Sequence, residues 1–491
     1  MTSRALAVAL LLSWVLVSPA YAAVENVKVS GDITVRGFAR DKYTQGGGLE
    51  TNTYNSAVFA GKSRQSFFTS QVRVRVNADL SQHISGEVEL MNQRVMDAPA
   101  SGAQGSALSS GTLLVGTAPS GANDQFNVLV NLANITIKEL YYPELTVKIG
   151  RQNIQWGEGF VIGNSQLGNP DPANVLPADE FTQFTSFDAI RAMINKNAWH
   201  FDMFAAKVQE NNISAGDDEN AMGINIGRTF DSYKAEGEVY FIADRNANPV
   251  NVLGNVFART EGIYAHGLRG SIRPWDRLKL SGETVIEYGR EGGATPGNAA
   301  VFTPNGAIKQ QILAWAFDFR AEYDWKELVW PTTFGTEWVY YSGEGGSEKS
   351  KSNNYRPLFR GKFHSAIREF QGYFYFPNVG VTPGYENEHQ LMFDALFHPF
   401  NNKDLTLFTR WLLFWLDDIP VPGRGRFIGN EWDAKFMYDY TEDLKFSLIG
   451  ALYWPGSYFK TNAPAPNSFG LSSDTAPATA KELVAEVALA F

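Results

Sequence analysis

The sequence contains no cysteine and only six histidines among its 491 residues. The absence of thiols excludes a disulfide framework, a lipid-modified cysteine anchor and thiolate metal sites. The histidines are scattered over distant segments, so the sequence predicts neither a zinc site nor a catalytic triad. We therefore expect no metal, no cofactor and no catalytic residue.

Recognisable enzymatic motifs are also missing. The segment 61–63, Gly-Lys-Ser, ends like a phosphate-binding loop, but Ser56 stands where the first glycine of that loop would be. No Gly-x-Ser-x-Gly sequence occurs. An enzyme whose site assembles only in three dimensions, for example from His200, Asp202 or His266, stays open as an alternative.

Only one long apolar run occurs, and it lies at the N-terminus. It extends from Ala5 to Val17, follows Arg4, and precedes Ala20-Tyr21-Ala22, which places small residues at the two positions that signal peptidase reads. No later stretch approaches the roughly 20 apolar residues of a membrane-spanning helix. We predict that residues 1–22 are a signal peptide and that residues 23–491 form one outer-membrane β-barrel domain.

The composition favours strands over helices. Aromatic residues make up 13% of the chain, glycine occurs 45 times, and the apolar residues lie in short, separated segments. The net charge of -10 argues against a nucleic-acid partner, which would require a basic surface.

Apolar and polar residues alternate with a period of two along many segments. Between Phe68 and Leu80, apolar residues alternate with polar ones that include Arg73 and Arg75. The alternation resumes at Ile84 after a short turn, which predicts a hairpin. Such a pattern, repeated over many segments, is typical of a membrane barrel whose apolar face contacts lipid.

Extended along the chain, this pattern predicts 18 strands. They lie near 27–39, 67–80, 84–94, 133–142, 145–152, 187–194, 199–208, 221–228, 234–243, 263–273, 278–289, 311–323, 333–342, 389–398, 405–415, 431–440, 444–454 and 482–491. Short turns alternate with long, glycine-rich loops, as periplasmic turns and extracellular loops do in bacterial barrels. The predicted fold class is all-β, a transmembrane antiparallel β-barrel with both termini in the periplasm.

The last predicted strand alternates until the chain stops at Phe491. A terminal strand that ends in phenylalanine resembles the signal read by the outer-membrane assembly machinery. We therefore expect that machinery as a partner, together with outer-membrane lipid and lipopolysaccharide, and a location in the cell outer membrane.

The polar face of the strands is expected to line the lumen. Its candidate pore-lining residues are Arg36, Arg73, Arg75, Glu87, Glu89, Lys148, Arg151, Arg191, Asp202, Arg269, Asp318, Arg320 and Lys435. Arg36, Arg73 and Arg75 lie on adjacent strands and are predicted to attract an anionic solute. The alternative for each charge, and for Arg151 in particular, is an ion pair that only stiffens the wall.

A family resemblance is carried by the predicted hairpin 137–152, which ends in Gly150-Arg151-Gln152 and is followed by Trp156-Gly157-Glu158-Gly159. It resembles the alginate-export family of outer-membrane porins, and the segments 187–191, 201–206 and 451–458 are similar in place and type. The resemblance implies an 18-stranded barrel, a charged pore gated by loops or a turn, and a basic constriction that selects a uronate polymer. This chain departs from that pattern in its many predicted lumenal carboxylates.

Three loop regions are candidates for selectivity or binding. The segments Ala98 to Gln125 and Asn164 to Glu180 are candidate constrictions, although the first is also typical of a disordered external loop. The acidic segment Gly216 to Asn220 is a candidate site for a divalent cation between lipopolysaccharide molecules, with a solvated loop as the alternative.

These observations together predict an outer-membrane channel that passes polar or charged solutes, with export of an anionic polysaccharide as one form of that function. Two other classes stay open, a plugged barrel that acts as a structural or interaction protein, and a barrel enzyme.

Overall fold

The computed structural model describes residues 26–42, 64–96, 128–163, 186–209, 219–246, 261–290, 311–343, 351–370, 387–419, 425–458 and 478–491. The predicted signal peptide and the loop segments 98–125 and 164–180 lie outside these ranges. The wall strands are β1 (Asn26–Asp41), β2 (Arg64–Ser81), β3 (Ile84–Val95), β4 (Leu129–Lys138), β5 (Leu145–Asn153), β6 (Ser186–Lys196), β7 (Trp199–Gln209), β8 (Glu219–Phe230), β9 (Ala235–Asn246), β10 (Glu261–Trp275), β11 (Leu278–Arg290), β12 (Gln311–Trp325), β13 (Thr332–Tyr341), β14 (Glu388–Phe397), β15 (Leu405–Leu416), β16 (Phe427–Asp439), β17 (Leu444–Pro455) and β18 (Ala480–Ala490).

The barrel closes because its first and last strands pair. β1 and β18 are antiparallel from Asp32 opposite Ala490 to Asp41 opposite Lys481. Next to this ladder, Gly31 and Phe491 exchange two backbone hydrogen bonds, 2.8 and 3.0 Å long. Closure gives the wall's backbone amides partners within the bilayer, as an open sheet edge would not. The predicted 18-stranded antiparallel barrel is confirmed.

Every predicted strand overlaps an observed one, and the largest shift occurs in β4. The predicted segment 133–142 included Tyr141 and Tyr142, whereas β4 ends at Lys138. Glu139 and Tyr141 have positive φ angles of 57° and 64°, so the chain turns there instead of extending. The alternation could not reveal this, because the two tyrosines have high strand propensity.

Burial in this barrel is inverted relative to a soluble protein. Large apolar side chains are exposed on the outer face, with Leu313 at 62% and Trp315 at 61% exposure. Inward-facing charged groups such as Glu283 and Glu431 are fully buried. An apolar outer face is the face that hydrocarbon requires, and it places the charges in the lumen.

Aromatic side chains mark the short-turn end of the barrel. Tyr141, Tyr142, Trp275 and Tyr440 are exposed next to the connections between paired strands. Tyrosine and tryptophan favour the membrane–water interface, so these residues form the periplasmic girdle. Among the described residues, no helix is long and apolar enough to cross a membrane.

Candidate functional site: the lumen and its inward segments

A first inward segment, residues 154–163, follows β5 and lies inside the barrel. Its apolar side chains Ile154, Phe160, Val161 and Ile162 are fully buried. Gly157 and Gly159 have positive φ angles of 60° and 80°, a conformation that glycine adopts without strain. The Gly159 N–H donates to the Trp156 carbonyl at 3.1 Å, which closes the turn.

The inner wall holds Trp156 in place. Its Nε1–H donates to Asp202 Oδ2 at 2.7 Å, and its ring lies against Phe204 with centroids 5.0 Å apart. Gly223 leaves room for the indole, since a Cβ at that position would lie 2.6 Å from the ring. Arg191 pairs with Asp202 at 2.5 Å and balances its buried charge.

Glu158 ties the same segment to β10 and β11. Its backbone N–H donates to Glu283 Oε2 at 2.8 Å, and its carboxylate pairs with Arg269 at 2.6 Å. Arg269 also pairs with Glu236 at 2.6 Å. Burial alone would raise the pKa of Glu158, but the positive charges of Lys362 and Arg269 hold it below its usual value.

A second inward segment, residues 353–370, lies beside the first. The two run parallel at a bridge between Ile162 and Phe359. Three backbone hydrogen bonds join them: Gly163 N–H to the Phe359 carbonyl (2.9 Å), Phe359 N–H to the Val161 carbonyl (2.8 Å) and Gly361 N–H to the Gly159 carbonyl (2.8 Å). The two segments therefore act as one structural unit inside the lumen.

Wall carboxylates accept hydrogen bonds from the backbone of the second inward segment. The Arg356 N–H donates to Glu287 at 2.8 Å. Further along, the Ala366 N–H donates to Asp433 at 3.2 Å, and the N–H groups of Ile367 and Arg368 each donate to Glu431 at 2.8 Å. These bonds satisfy buried amides that have no ladder partner.

A buried ionic cluster fixes the middle of the second inward segment. Lys362 Nζ lies 2.8 Å from Asp318 and 2.7 Å from Glu337. Arg320 pairs with Glu337 at 3.1 Å and with Asp394 at 2.7 Å. Removing one member of such a cluster leaves a buried charge uncompensated, which costs roughly 3–5 kcal/mol.

His364 lies in the same cluster, between the wall and its own segment. Its Nε2 faces Glu337 at 3.1 Å and Asp318 at 3.6 Å, and its Nδ1 faces Glu369 at 3.5 Å and Arg360 at 3.2 Å. Burial disfavours the charged imidazolium, but the charges of Glu337 and Glu369 outweigh it and raise the pKa of His364 to about 9. The ring is therefore cationic at neutral pH.

Asp318, Glu337 and His364 also place three ligand atoms within 4.8 Å of one another. Three such groups are a plausible donor set for a transition metal. The Lys362 ammonium, however, already lies between the two carboxylates. A cation position filled by lysine does not fit a metal ion, so we assign no metal role to this group.

The inward segments and the wall around them also share an apolar core. Phe160 stacks on Tyr341 and on Tyr355, with ring centroids 5.5 and 5.9 Å apart, and Phe187 meets Phe359 edge-on at 5.2 Å. Burying a large apolar side chain stabilises by roughly 1.5–3 kcal/mol. The segments are therefore held by a folded core as well as by charges.

The anchors of both segments fall on strands from β6 to β16. The rest of the inner wall, from Lys435 on β16 through β18, β1, β2 and β3 to Lys148 on β5, carries basic and acidic side chains, and we call it the charged arc. Its basic members are Arg36, Arg40, Arg73, Arg75, Lys148 and Lys435, and its acidic members are Asp32, Glu87, Glu89, Glu482 and Glu486.

The predicted cluster of Arg36, Arg73 and Arg75 is spread along this arc. Arg36 pairs with Glu486 on β18 at 2.6 Å, and Arg73 pairs with Asp32 at 2.6 Å. In the β1–β2 register, Arg36 stands opposite Thr69, four residues from the position opposite Arg73. Each arginine thus has its own carboxylate, and the three do not form one patch.

Other charged residues of the arc form cross-strand pairs. Arg75 pairs with Glu89 at 2.5 Å and lies 3.5 Å from Glu87, which pairs with Lys148 at 3.1 Å. Lys435 is buried on β16 and makes no ion pair within the described part of the chain. Most of these residues face the lumen and also form an ion pair within the wall. The two predicted alternatives therefore hold together at these positions.

The remaining predicted site residues divide by location. Arg191, Asp202, Arg269, Asp318 and Arg320 face the lumen where the inward segments are anchored. Arg151 lies on the outer face with Ile149 and pairs with Asp188 at 3.1 Å. Because side chains alternate along β5, Arg151 points away from the lumen while Gln152 points into it.

The sequence did not predict the inward segments. Both candidate constrictions that it named, 98–125 and 164–180, lie outside the described residues, as does most of the acidic segment 216–220. One signal was present, because Trp156-Gly157-Glu158-Gly159 belongs to the family resemblance. The segment 353–370 has no periodicity that distinguishes it from an external loop.

The barrel fold agrees with a comparison to known families. The family model for alginate export matches residues 45–469, most of the chain. The chain belongs to the alginate export family. It is an outer-membrane channel for solutes, as the sequence predicted. No curated protein sequence matches it.

Solved structures with a similar fold are outer-membrane porins. OccK5 (OpdH) of Pseudomonas aeruginosa has a TM-score of 0.52 at 11% identity, covering 95% of this chain and 99% of that chain. OccAB4 of Acinetobacter baumannii has a TM-score of 0.52 at 10% identity, covering 96% and 100%. OccK2 (OpdF) of Pseudomonas aeruginosa, solved in complex with glucuronate, has a TM-score of 0.50 at 11% identity, covering 95% and 99%. These similarities concern the fold.

Proposed function

We propose that this member of the alginate export family passes anionic polar solutes of the uronate class, and that the solutes move along the charged arc. The observation that carries the proposal is the division of lumenal charge. Carboxylates dominate the wall where the inward segments are anchored, whereas basic residues slightly outnumber acidic ones on the arc.

The acidic residues of the covered wall have structural partners. Glu431 and Asp433 accept backbone N–H groups, and Asp318 and Glu337 hold Lys362. These carboxylates hold the inward segments in place, so each already has a hydrogen-bond or ion-pair partner. The many lumenal carboxylates that set this chain apart from the family pattern are therefore compatible with an anionic cargo.

The charges of the arc favour an oxyanion over a neutral solute. Arg36, Arg73 and Arg75 follow one another along the inner wall, each beside a carboxylate. A carboxylated solute can exchange hydrogen bonds with successive arginines, since a guanidinium offers five donors in a planar fork. Multiple weak sites of this kind permit both entry and exit.

The first experiment measures ion selectivity in planar bilayers from reversal potentials across a salt gradient. Wild-type protein is expected to favour anions. The triple variant Arg36→Gln, Arg73→Gln, Arg75→Gln leaves the partner carboxylates in place, so its selectivity is expected to move towards cations. Arg151→Gln is the matched control because that arginine lies on the outer face. Equal reversal potentials for all three proteins would contradict the proposal.

A transport assay then separates solute classes. Liposomes that contain the channel are expected to admit glucuronate faster than glucose, and the triple variant is expected to lose that preference. Oligouronates that block glucuronate entry without crossing would restrict the function to small solutes. Oligouronates that cross would extend it to export of an anionic polysaccharide.

We infer that residues 1–22 are removed on export, that residues 23–491 form one domain, and that the channel performs no catalysis. Family membership supports transport over a scaffold barrel or a barrel enzyme.

A further inference from the structure

The outer face of the barrel carries a row of three exposed basic residues where β9 ends, β11 ends and β12 begins. Arg245 and Arg290 stand on either side of Gly262 in the strand register. Gln311 is opposite Arg290, and Lys351, from a two-residue strand parallel to β12, is opposite Gln311. With strands about 4.8 Å apart, the row is roughly 20 Å wide.

None of the three basic residues has an acidic partner within the described part of the chain. At the opposite end of the same strands, basic residues do have acidic partners. There, Lys234 pairs with Asp276 at 2.6 Å and Arg277 pairs with Glu327 at 2.5 Å. Among the described residues, the row is therefore a concentration of positive charge without ion-paired acids at one end of the barrel.

Below this row, the outward side chains become aromatic and then apolar. Tyr264, Tyr288 and Leu313 are neighbours in the next outward row of the register. The two tyrosine rings stack with centroids 5.3 Å apart. The row beyond contains Phe241, His266, Ile286 and Trp315. Charge, aromatic ring and apolar surface thus follow one another along the strands.

The basic row and the aromatic row next to it line one cavity of about 770 Å³. Its lining includes Arg245, Arg290, Lys351 and the two tyrosines. The space beside Gly262, between the two arginines, is open. A Cβ built at Gly262 would meet only the Tyr264 hydroxyl, at 3.8 Å. The cavity is polar at its upper edge and apolar towards the middle of the membrane.

The position of the row along the barrel identifies the leaflet. β10 and β11 are joined by a short turn at the other end, between Trp275 and Leu278. At this end, long connections separate Asn246 from Glu261 and Arg290 from Gln311. Long connections are extracellular in bacterial barrels, so the row lies at the headgroups of the outer leaflet.

We propose that this cavity is a binding site for a phosphorylated glycolipid of the outer leaflet. The Arg245 and Arg290 guanidinium groups and the Lys351 ammonium donate to phosphate oxygens, and the acyl chains lie on Tyr264, Tyr288 and the apolar rows below. Arginine and lysine are the side chains that bind phosphate, through bidentate and point-charge contacts respectively. The site is independent of the proposed solute passage, because it lies on the outer face of the wall.

Native mass spectrometry of the detergent-purified channel tests the site with lipid A and with enzymatically dephosphorylated lipid A of the same acyl composition. Wild-type protein is expected to retain lipid A at least about tenfold more tightly than the dephosphorylated form, because the charge-assisted hydrogen bonds are lost. The triple variant Arg245→Gln, Arg290→Gln, Lys351→Gln is expected to bind both forms equally weakly.

Arg228→Gln is the matched control, since Arg228 is an outward-facing arginine at the periplasmic end, packed over Trp199. It is expected to bind lipid A as wild type does. Equal binding of lipid A by the triple variant and the control would overturn the proposal, as would equal retention of the two lipid forms by wild type. Binding of inorganic phosphate that the triple variant loses, without lipid A binding, would overturn the lipid assignment.

Discussion

His364 shows how a single residue couples the inward segments to the wall. Its raised pKa of about 9, against an ordinary value of 6.5, means that the charged ring stabilises the folded cluster. That contribution is fully present below pH 6.5 and is lost as the pH rises through about 9. We expect conductance of the wild-type channel to become larger and noisier across this window, as the second inward segment loosens.

His364→Gln removes the titrating imidazole, so its conductance is expected to change less than that of wild type between pH 6.5 and about 9. Three carboxylates, those of Asp318, Glu337 and Glu369, face the ring, together with the Arg360 guanidinium. The control variant is His266→Gln, because His266 lies on the outer face beside Tyr288. A pH response in His364→Gln that matches wild type would show that another group controls the segment.

At the scale of elements, the first inward segment depends on space left by a neighbouring strand. Gly223→Ala would place a Cβ 2.6 Å from the Trp156 ring and 2.7 Å from the Phe204 ring, so the indole must move and its hydrogen bond to Asp202 is lost. Overpacking of this kind typically costs about 1–3 kcal/mol. We expect larger single-channel conductance with a normally assembled barrel.

Gly450→Ala is the control for this element, because a Cβ at Gly450 meets nothing within 4 Å. Its conductance and thermal unfolding in detergent are expected to match those of wild type. If Gly223→Ala also conducted like wild type, Trp156 would not be what holds the first inward segment in place.

At the scale of the whole molecule, the barrel depends on closure at its C-terminus. Deleting Phe491 removes two backbone hydrogen bonds with Gly31 and an exposed aromatic side chain from the last strand. We expect less folded barrel in the outer membrane, measured by the heat-dependent shift on gel electrophoresis, because both closure and the predicted assembly signal are impaired. Phe436→Ala, which removes an outward phenylalanine from β16, is the control and is expected to assemble normally.

The sequence alone determined the wall of this barrel. Period-two alternation, as between Phe68 and Leu80, requires that one face meet lipid and the other water, and this requirement is local to each strand. It also placed Arg36, Arg73 and Arg75 on the inner face. It failed at Tyr141, where a positive φ angle ends the strand, and at Arg151, whose alternation with Gln152 puts it outside.

The tertiary structure decided what lies inside the wall. Lys362 and Glu337 are 25 residues apart and Glu431 and Ile367 are 64 apart, yet each pair is in contact because closure brings distant strands around one lumen. Nothing in the alternation of β12 or β16 shows whether a carboxylate faces water, a cation or a backbone amide. Alternation reports the face of a strand, whereas the partner of a lumenal charge depends on which segments fold inward.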